Sequence, residues 1–130
     1  MVRQHISSDL KSFVKAQIQS VFRLEVLLLL HGASTGTFTK AEVANELGFE
    51  QEVAHEQLET LARNELISRS GNDELRYHYD PVDRLQAIMV DELAVAYTKQ
   101  RVPILSLILA ERTDRIRRFA EAFRVIKGND

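Results

Sequence analysis

Thr39 to Tyr79 reads "TKAEVANELGFEQEVAHEQLETLARNELISRSGNDELRYHY". Thr39 and Glu42 stand three apart, the spacing at which each side chain bonds the other's backbone amide at a helix start. Val43, Ala44 and Leu47 then make an apolar face, and Gly48 suits the left-handed residue that ends a helix. A second short helix follows, with Ala54, Leu58 and Leu61 inward at four- and three-residue steps. After Leu66 and Ile67 the period changes. A Gly71-Asn72-Asp73 turn leads into Leu75, Tyr77 and Tyr79, which alternate with polar residues. That alternation predicts a hairpin with its tip at Ser70 to Glu74 and with Tyr77 and Tyr79 packed inward.

Upstream, "SSDLKSFVKAQIQSVFRLEVLLLLHG" predicts a helix, with Ser8 or Asp9 satisfying free amides of its first turn. Leu10, Phe13, Val14, Ile18, Val21 and Phe22 recur at helical steps. Leu24 and Val26–Leu30 are apolar nearly all round, so that end is expected to be deeply buried. Downstream, Pro81 ends the hairpin and suits the first turn of a new helix. Leu85, Met89, Leu93 and Ala96 mark a long amphipathic helix. Pro103 either kinks it or starts another, because proline removes a backbone donor and clashes with the preceding turn. A last helix is expected over roughly Thr113 to Lys127, with Ile116, Phe119, Ala120 and Phe123 on one face.

The totals exclude some classes. Of 130 residues, 45% are apolar and 28% charged, the balance of a globular chain rather than a disordered or membrane one. The runs Leu24–Leu30 and Val102–Ala110 are roughly half the ~20 residues a spanning helix needs. Cysteine is absent, which removes disulfides and thiolate metal sites. The polar start "MVRQHISSDLK" lacks the apolar core of a signal peptide, so a cytoplasmic location is expected.

Helix, helix, helix and hairpin is an order that carries a resemblance. From about Val21 to Tyr79 the chain resembles the winged helix-turn-helix bacterial transcriptional regulators of the broad MarR-like kind. Its tail segment "IRRFAEAFRV" is similar to that of bacterial winged-helix proteins without an assigned function. The resemblance implies a mainly helical fold with a small β-hairpin wing and long flanking helices. It divides the chain into an N-terminal helical extension (1–20), the winged domain (21–80) and a C-terminal helical dimerisation region (81–130). It places Gln51, Glu52, His55, Glu56 and Glu59 on the outward face of the third helix, and it offers Arg63, Arg69, Asn72 and Arg76 as wing and backbone contacts. Where many relatives have glycine before a Leu-Ile pair, this chain has Glu65; Asn64 is expected to supply the left-handed residue instead.

Charge sets a problem for that reading. Thr39 to Leu66 holds two basic and seven acidic side chains. Duplex binding draws much of its affinity from Lys and Arg displacing counterions. Glutamate accepts from cytosine and Gln51 suits adenine, but such contacts specify sequence without supplying attraction. Net charge is −2, yet residues 1–80 carry 8 basic and 12 acidic side chains while residues 81–130 carry 9 and 7. The basic surplus lies in the tail, where Arg112, Arg115, Arg117, Arg118 and Arg124 alternate with Glu111, Asp114 and Glu121 as on a salt-bridged surface.

Other chemistry is thin. His5, His31, His55 and His78 are scattered, and "HEQLE" at His55 lacks the second histidine of a zinc-protease helix. "GASTGTFTK" has the wrong spacing and context for a phosphate loop. No nucleophile motif stands out, so neither catalysis, a metal nor a cofactor is expected. The expectation is a regulator that contacts double-stranded DNA as a homodimer. Leu85, Met89, Leu93, Leu105, Ile108, Phe119 and Phe123 are expected to pack the dimer or the tail. The alternative is an adaptor whose acidic third helix binds a basic protein; a small-molecule sensor ranks last, and no membrane partner is expected.

Overall fold

The computed structural model describes residues 6–33 and 35–127, and within the last helix the side chains of residues 101–110 and 116–122. His5 and the side chain of Phe123 therefore lie outside the described residues. The elements are α1 (Ser8–Phe13), which continues as a π-helical turn (Val14–Ile18), then α2 (Val21–Gly32), α3 (Lys40–Leu47) and α4 (Gln51–Arg63). The hairpin strands β1 (Ile67–Ser70) and β2 (Arg76–Tyr79) follow, and then α5 (Arg84–Lys99) and α6 (Arg101–Lys127).

The N-terminal stretch departs from the expected helix in three ways. Its cap is Ser7, whose hydroxyl accepts from the Leu10 amide at 3.1 Å, rather than Ser8 or Asp9. The helix breaks at Gln19, which takes φ 61°, and Ser20 caps a new one by accepting from the Arg23 amide at 3.0 Å. The cause is geometric. The buried row Leu10, Phe13, Val14 and Ile18 and the buried set Leu24, Val26, Leu27 and Leu30 would not fall on one side of a straight helix. Breaking the chain turns both rows toward the same core.

α3 and α4 follow the sequence closely. The Thr39 hydroxyl accepts from the Glu42 amide at 3.1 Å, and the Glu42 carboxylate accepts from the Thr39 amide at 2.8 Å. Gly48 ends α3 at φ 73°, and the Phe49 amide returns to the Ala44 carbonyl at 2.9 Å. α4 ends the same way, but its left-handed residue is Glu65 at φ 63°, while Asn64 stays at φ −81°. The Leu66 amide reaches back to Leu61 at 3.1 Å, and Leu61 and Leu66 are both fully buried. The return bond and its apolar pair require the left-handed residue at position 65, so the expectation for Asn64 is overturned.

The wing pairs Ile67 with Tyr79 and Ser70 with Arg76. Leu75 falls outside β2 and is exposed. Gly71, at φ 98°, closes the turn where a Cβ would run into the Glu74 carbonyl oxygen. Phe38, ahead of α3, exchanges two 2.8 Å backbone bonds with Tyr77 and extends the hairpin by one bridge. Tyr77 is buried and Tyr79 partly buried.

α5 opens after Asp83, whose carboxylate accepts from the Leu85 amide at 2.8 Å, so Pro81 stands ahead of the helix rather than in its first turn. α5 and α6 meet at Gln100 with a bend of 114° between Arg84–Lys99 and Arg101–Ala110. Pro103 is the third residue of α6, where it removes an amide that has no helical partner. The segment expected as a separate last helix is the continuation of α6. Val90, Leu93 and Tyr97 of α5 and Ile104 and Ile108 of α6 join α1, α2, α3, α4 and the wing in one core. No single described helix is long and apolar enough to cross a membrane.

Glutamate at a left-handed position carries about 1–2 kcal/mol of backbone strain. Glycine removes that strain while losing about 0.5–1 kcal/mol more chain entropy on folding. Glu65→Gly is therefore expected to stabilise the protein by about 0.5–1 kcal/mol in urea melts. A fall in stability would show that the side chain of Glu65 supplies something its backbone does not.

Candidate nucleic-acid interface

The turn between α3 and α4 sets the angle of α4, and three devices fix it. Leu58, Ala54 and Leu61 sink into the core, and Phe49 packs edge-on against Phe22 of α2 with ring centres 4.9 Å apart. Gln57, also buried, accepts from the Arg23 Nε at 3.1 Å. What remains outward on α4 is Gln51, Glu52 and Glu56, with His55 and Glu59 partly buried.

Glu59 is engaged elsewhere. Its carboxylate accepts from the Tyr77 hydroxyl at 2.6 Å and from the Arg69 Nη1 at 2.5 Å. The hydroxyl bond from Tyr77, followed by Arg69, holds Glu59 below its ordinary value of 4.5. Burial, followed by the hydrogen bond to Glu59, pushes Tyr77 up to about 12. Glu59 therefore clamps the wing to α4 rather than facing outward freely, and Arg69 on the wing is its ion-pair partner.

Arg76 is committed in the same fashion. It donates to the Thr37 hydroxyl at 3.3 Å and lies 3.5 Å from Glu42 and 3.9 Å from Glu74. Glu42 is held below its ordinary value chiefly by the Thr39 backbone amide, with Arg76 adding to the effect. Arg63 is exposed at the end of α4, and Asn72 is exposed at the wing tip.

The acids on α4 have largely local roles. Glu50 is the N-cap residue and Glu52 lies in the first turn, at the positive end of the helix dipole where carboxylates are stabilising. Glu59 holds the wing. Glu56 alone on the outward face has neither role among the described residues.

A groove of about 340 Å³ opens between the starts of α3 and α4 and the wing, lined by Thr39, Lys40, Gln51, His55, Asp73 and Leu75. A second cleft of about 410 Å³ on the other flank is lined by Arg63, Arg69, Glu59, Ser68 and Asp80. Of the expected site residues, Gln51 and His55 share the first cleft, and Glu59, Arg63 and Arg69 share the second. Glu52 and Glu56 lie on the exposed side of the same helix. Among the expected packing residues, Leu93 and Ile108 lie in the chain's own core, and Met89 and Leu105 rest partly buried against it. Leu85 and Phe119 are 71% and 75% exposed. No group of three metal-ligating side chains gathers among the described residues.

No family model and no curated protein matches the chain. Solved structures do. The homodimeric winged helix-turn-helix DNA-binding domain Mb0332 of Mycobacterium bovis superposes with a TM-score of 0.53 at 18% identity, over 77% of this chain and 93% of that one. Reduced HlyU of Vibrio cholerae gives 0.52 at 14% identity, over 72% and 90%. MepR, a transcription regulator of a Staphylococcus aureus multidrug efflux pump, gives 0.53 at 12% identity, over 94% and 91%.

The fold is a winged helix-turn-helix. α3 and α4 are its helix-turn-helix, β1 and β2 its wing, and α1, α5 and α6 flank it.

Because Glu59 is held below its ordinary value, the stability it adds is present above that value and fades as pH falls through the lowered one. Wild type is expected to exceed Glu59→Gln by about 1–2 kcal/mol at neutral pH. The gap should close as pH falls through the lowered value, where the wild-type carboxyl itself becomes neutral. A gap independent of pH would remove the charged clamp from the account.

Proposed function

We propose that the chain is a non-enzymatic transcriptional regulator that meets double-stranded DNA through α4 and the wing and works as a dimer. The observation that carries this reading is the exposed start of α4 beside the wing. There Gln51 and Glu52 stand next to a groove edged by Lys40, while Glu42 and Glu59 are turned to local bonds. A MepR variant bound to an oligodeoxyribonucleotide superposes with a TM-score of 0.52 at 12% identity, which supports the same use of the fold.

The chemistry follows the side chains. Gln51 suits the paired donor and acceptor of adenine, and Glu52 and Glu56 accept from cytosine amino groups. Lys40 and Arg63 supply phosphate contacts at the flanks, with Asn72 at the wing tip, while Arg69 stays with Glu59. This is a sparse set of cations beside exposed carboxylates. One head therefore binds duplex weakly, and joining two heads raises the effective concentration of the second. Selectivity rests on base contacts more than on general attraction.

A salt titration of duplex binding tests the proposal. Two phosphates neutralised per head, by Lys40 and Arg63, would give a log–log slope of roughly −2 per head. Replacing Glu52 and Glu56 together by Gln is expected to strengthen binding to random duplex by roughly three- to tenfold at low salt, since two like charges leave the phosphate side. Absence of binding at low salt in both proteins would overturn the reading.

A further inference from the structure

His55 follows Gln51 by four residues and Glu52 by three, so the three side chains are neighbours on one face of α4. Its ring is partly buried and lines the groove that Leu75 and Tyr77 border from the wing. The two ring nitrogens meet different surroundings. Nδ1 is shut off from solvent and has no hydrogen-bond partner among the described residues, whereas Nε2 is not shut off. Glu59, one turn further along the same face, would be the natural local acceptor for a histidine proton. It is committed to Tyr77 and Arg69 instead, which leaves Nε2 unclaimed.

In a neutral imidazole one nitrogen carries the proton and the other a lone pair. A buried N–H without an acceptor loses its bond to water outright, and such orphans are rarer than unpaired acceptors. The proton therefore belongs on Nε2, and Nδ1 keeps the lone pair. Burial of one nitrogen thus makes His55 a neutral donor beside Glu52, whose carboxylate only accepts. Donor and acceptor side by side complement a guanine–cytosine pair, because cytosine donates from its amino group and guanine presents N7 and O6 as adjacent acceptors. Adenine's N7 adjoins a donor and thymine's O4 adjoins a methyl group, so neither offers a lone donor two acceptors.

We propose that His55 determines sequence specificity at this interface, donating from Nε2 to guanine beside a cytosine read by Glu52. The proposal deepens the duplex reading of α4 given above and rests on it. Lys40 and Arg63 position the duplex without reading it, since phosphates are the same at every step. A neutral donor adds nothing to general attraction. What His55 adds is choice between bases.

Two measurements on the full chain test this. Long-range proton–nitrogen NMR spectra of the free protein, under mildly alkaline conditions, are expected to show the proton of His55 on Nε2, its signals assigned by their loss in His55→Gln. A proton on Nδ1 would overturn the proposal whatever the protein binds. Wild type, His55→Ala and His55→Gln then each select from a random-sequence duplex library, after melting curves confirm that both variants fold. Wild type is expected to prefer guanine at one position by roughly five- to tenfold, and His55→Ala to lose that preference with its salt slope unchanged. His55→Gln, carrying a donor and an acceptor, is expected to shift the same position toward adenine. A guanine preference kept by His55→Ala, or an equal loss of affinity for all sequences, overturns this assignment and leaves the duplex reading standing. No binding of any duplex by wild type overturns both.

Discussion

A buried hydroxyl needs a partner, and the phenol of Tyr77 has one in Glu59. The ring is only 1% exposed, so it lies in the core between wing and helix, where a bare hydroxyl would lose its hydrogen bonds to water without replacement. A carboxylate on α4 receives it at 2.6 Å, and Arg69 on the neighbouring strand balances the charge. Three elements are thereby tied at one point. β2 brings the hydroxyl, β1 the guanidinium and α4 the acceptor. The backbone bridge from Phe38 to Tyr77 adds the segment before α3 to the same knot. The wing and α4 are consequently tied to each other, which suits the proposed address to a duplex groove.

This knot also changes the meaning of the acidic count. Charge summed over a stretch of sequence treats every glutamate as an outward field source. The structure divides them. Glu42 closes a capping box, Glu50 and Glu52 sit at the positive end of α4, and Glu59 is bonded to the wing. Arg69 and Arg76, offered by sequence as cations for phosphate, are drawn into the same local pairs. The surface is therefore less repulsive than the acids suggest and less attractive than the arginines suggest. On the proposed reading, selectivity toward duplex rests on geometry and hydrogen bonding at α4 rather than on a strong field.

Much of the fold was legible because its signals are local. Thr39 and Glu42 three apart, glycine at 48, and the stepped apolar residues of α4 each report on neighbours within a few positions. The failures have the opposite character. The break at Gln19 arises because two buried rows must turn toward one core, which is a property of packing and not of either segment. Glu65 takes the left-handed position although Asn64 is the better local candidate, since the return bond to Leu61 and the burial of Leu66 outweigh intrinsic preference. The candidate site divided the same way. The outward position of Gln51, Glu52 and Glu56 follows from helical period. The loss of Glu59 to Tyr77 joins residues 18 apart and has no period to announce it. Its only sequence signal was an inward tyrosine, whose hydroxyl implies an unseen acceptor.

α6 shows the same division between local and distant constraint within one helix. Its first ten residues lean on the domain through Ile104 and Ile108, which explains why they are helical there. Residues 116–122, further along the same helix, are all exposed. A lone helix of that length is marginal in water, because each residue adds one backbone bond against the entropy of fixing it. Phe119 standing 75% exposed adds an apolar cost to the same stretch.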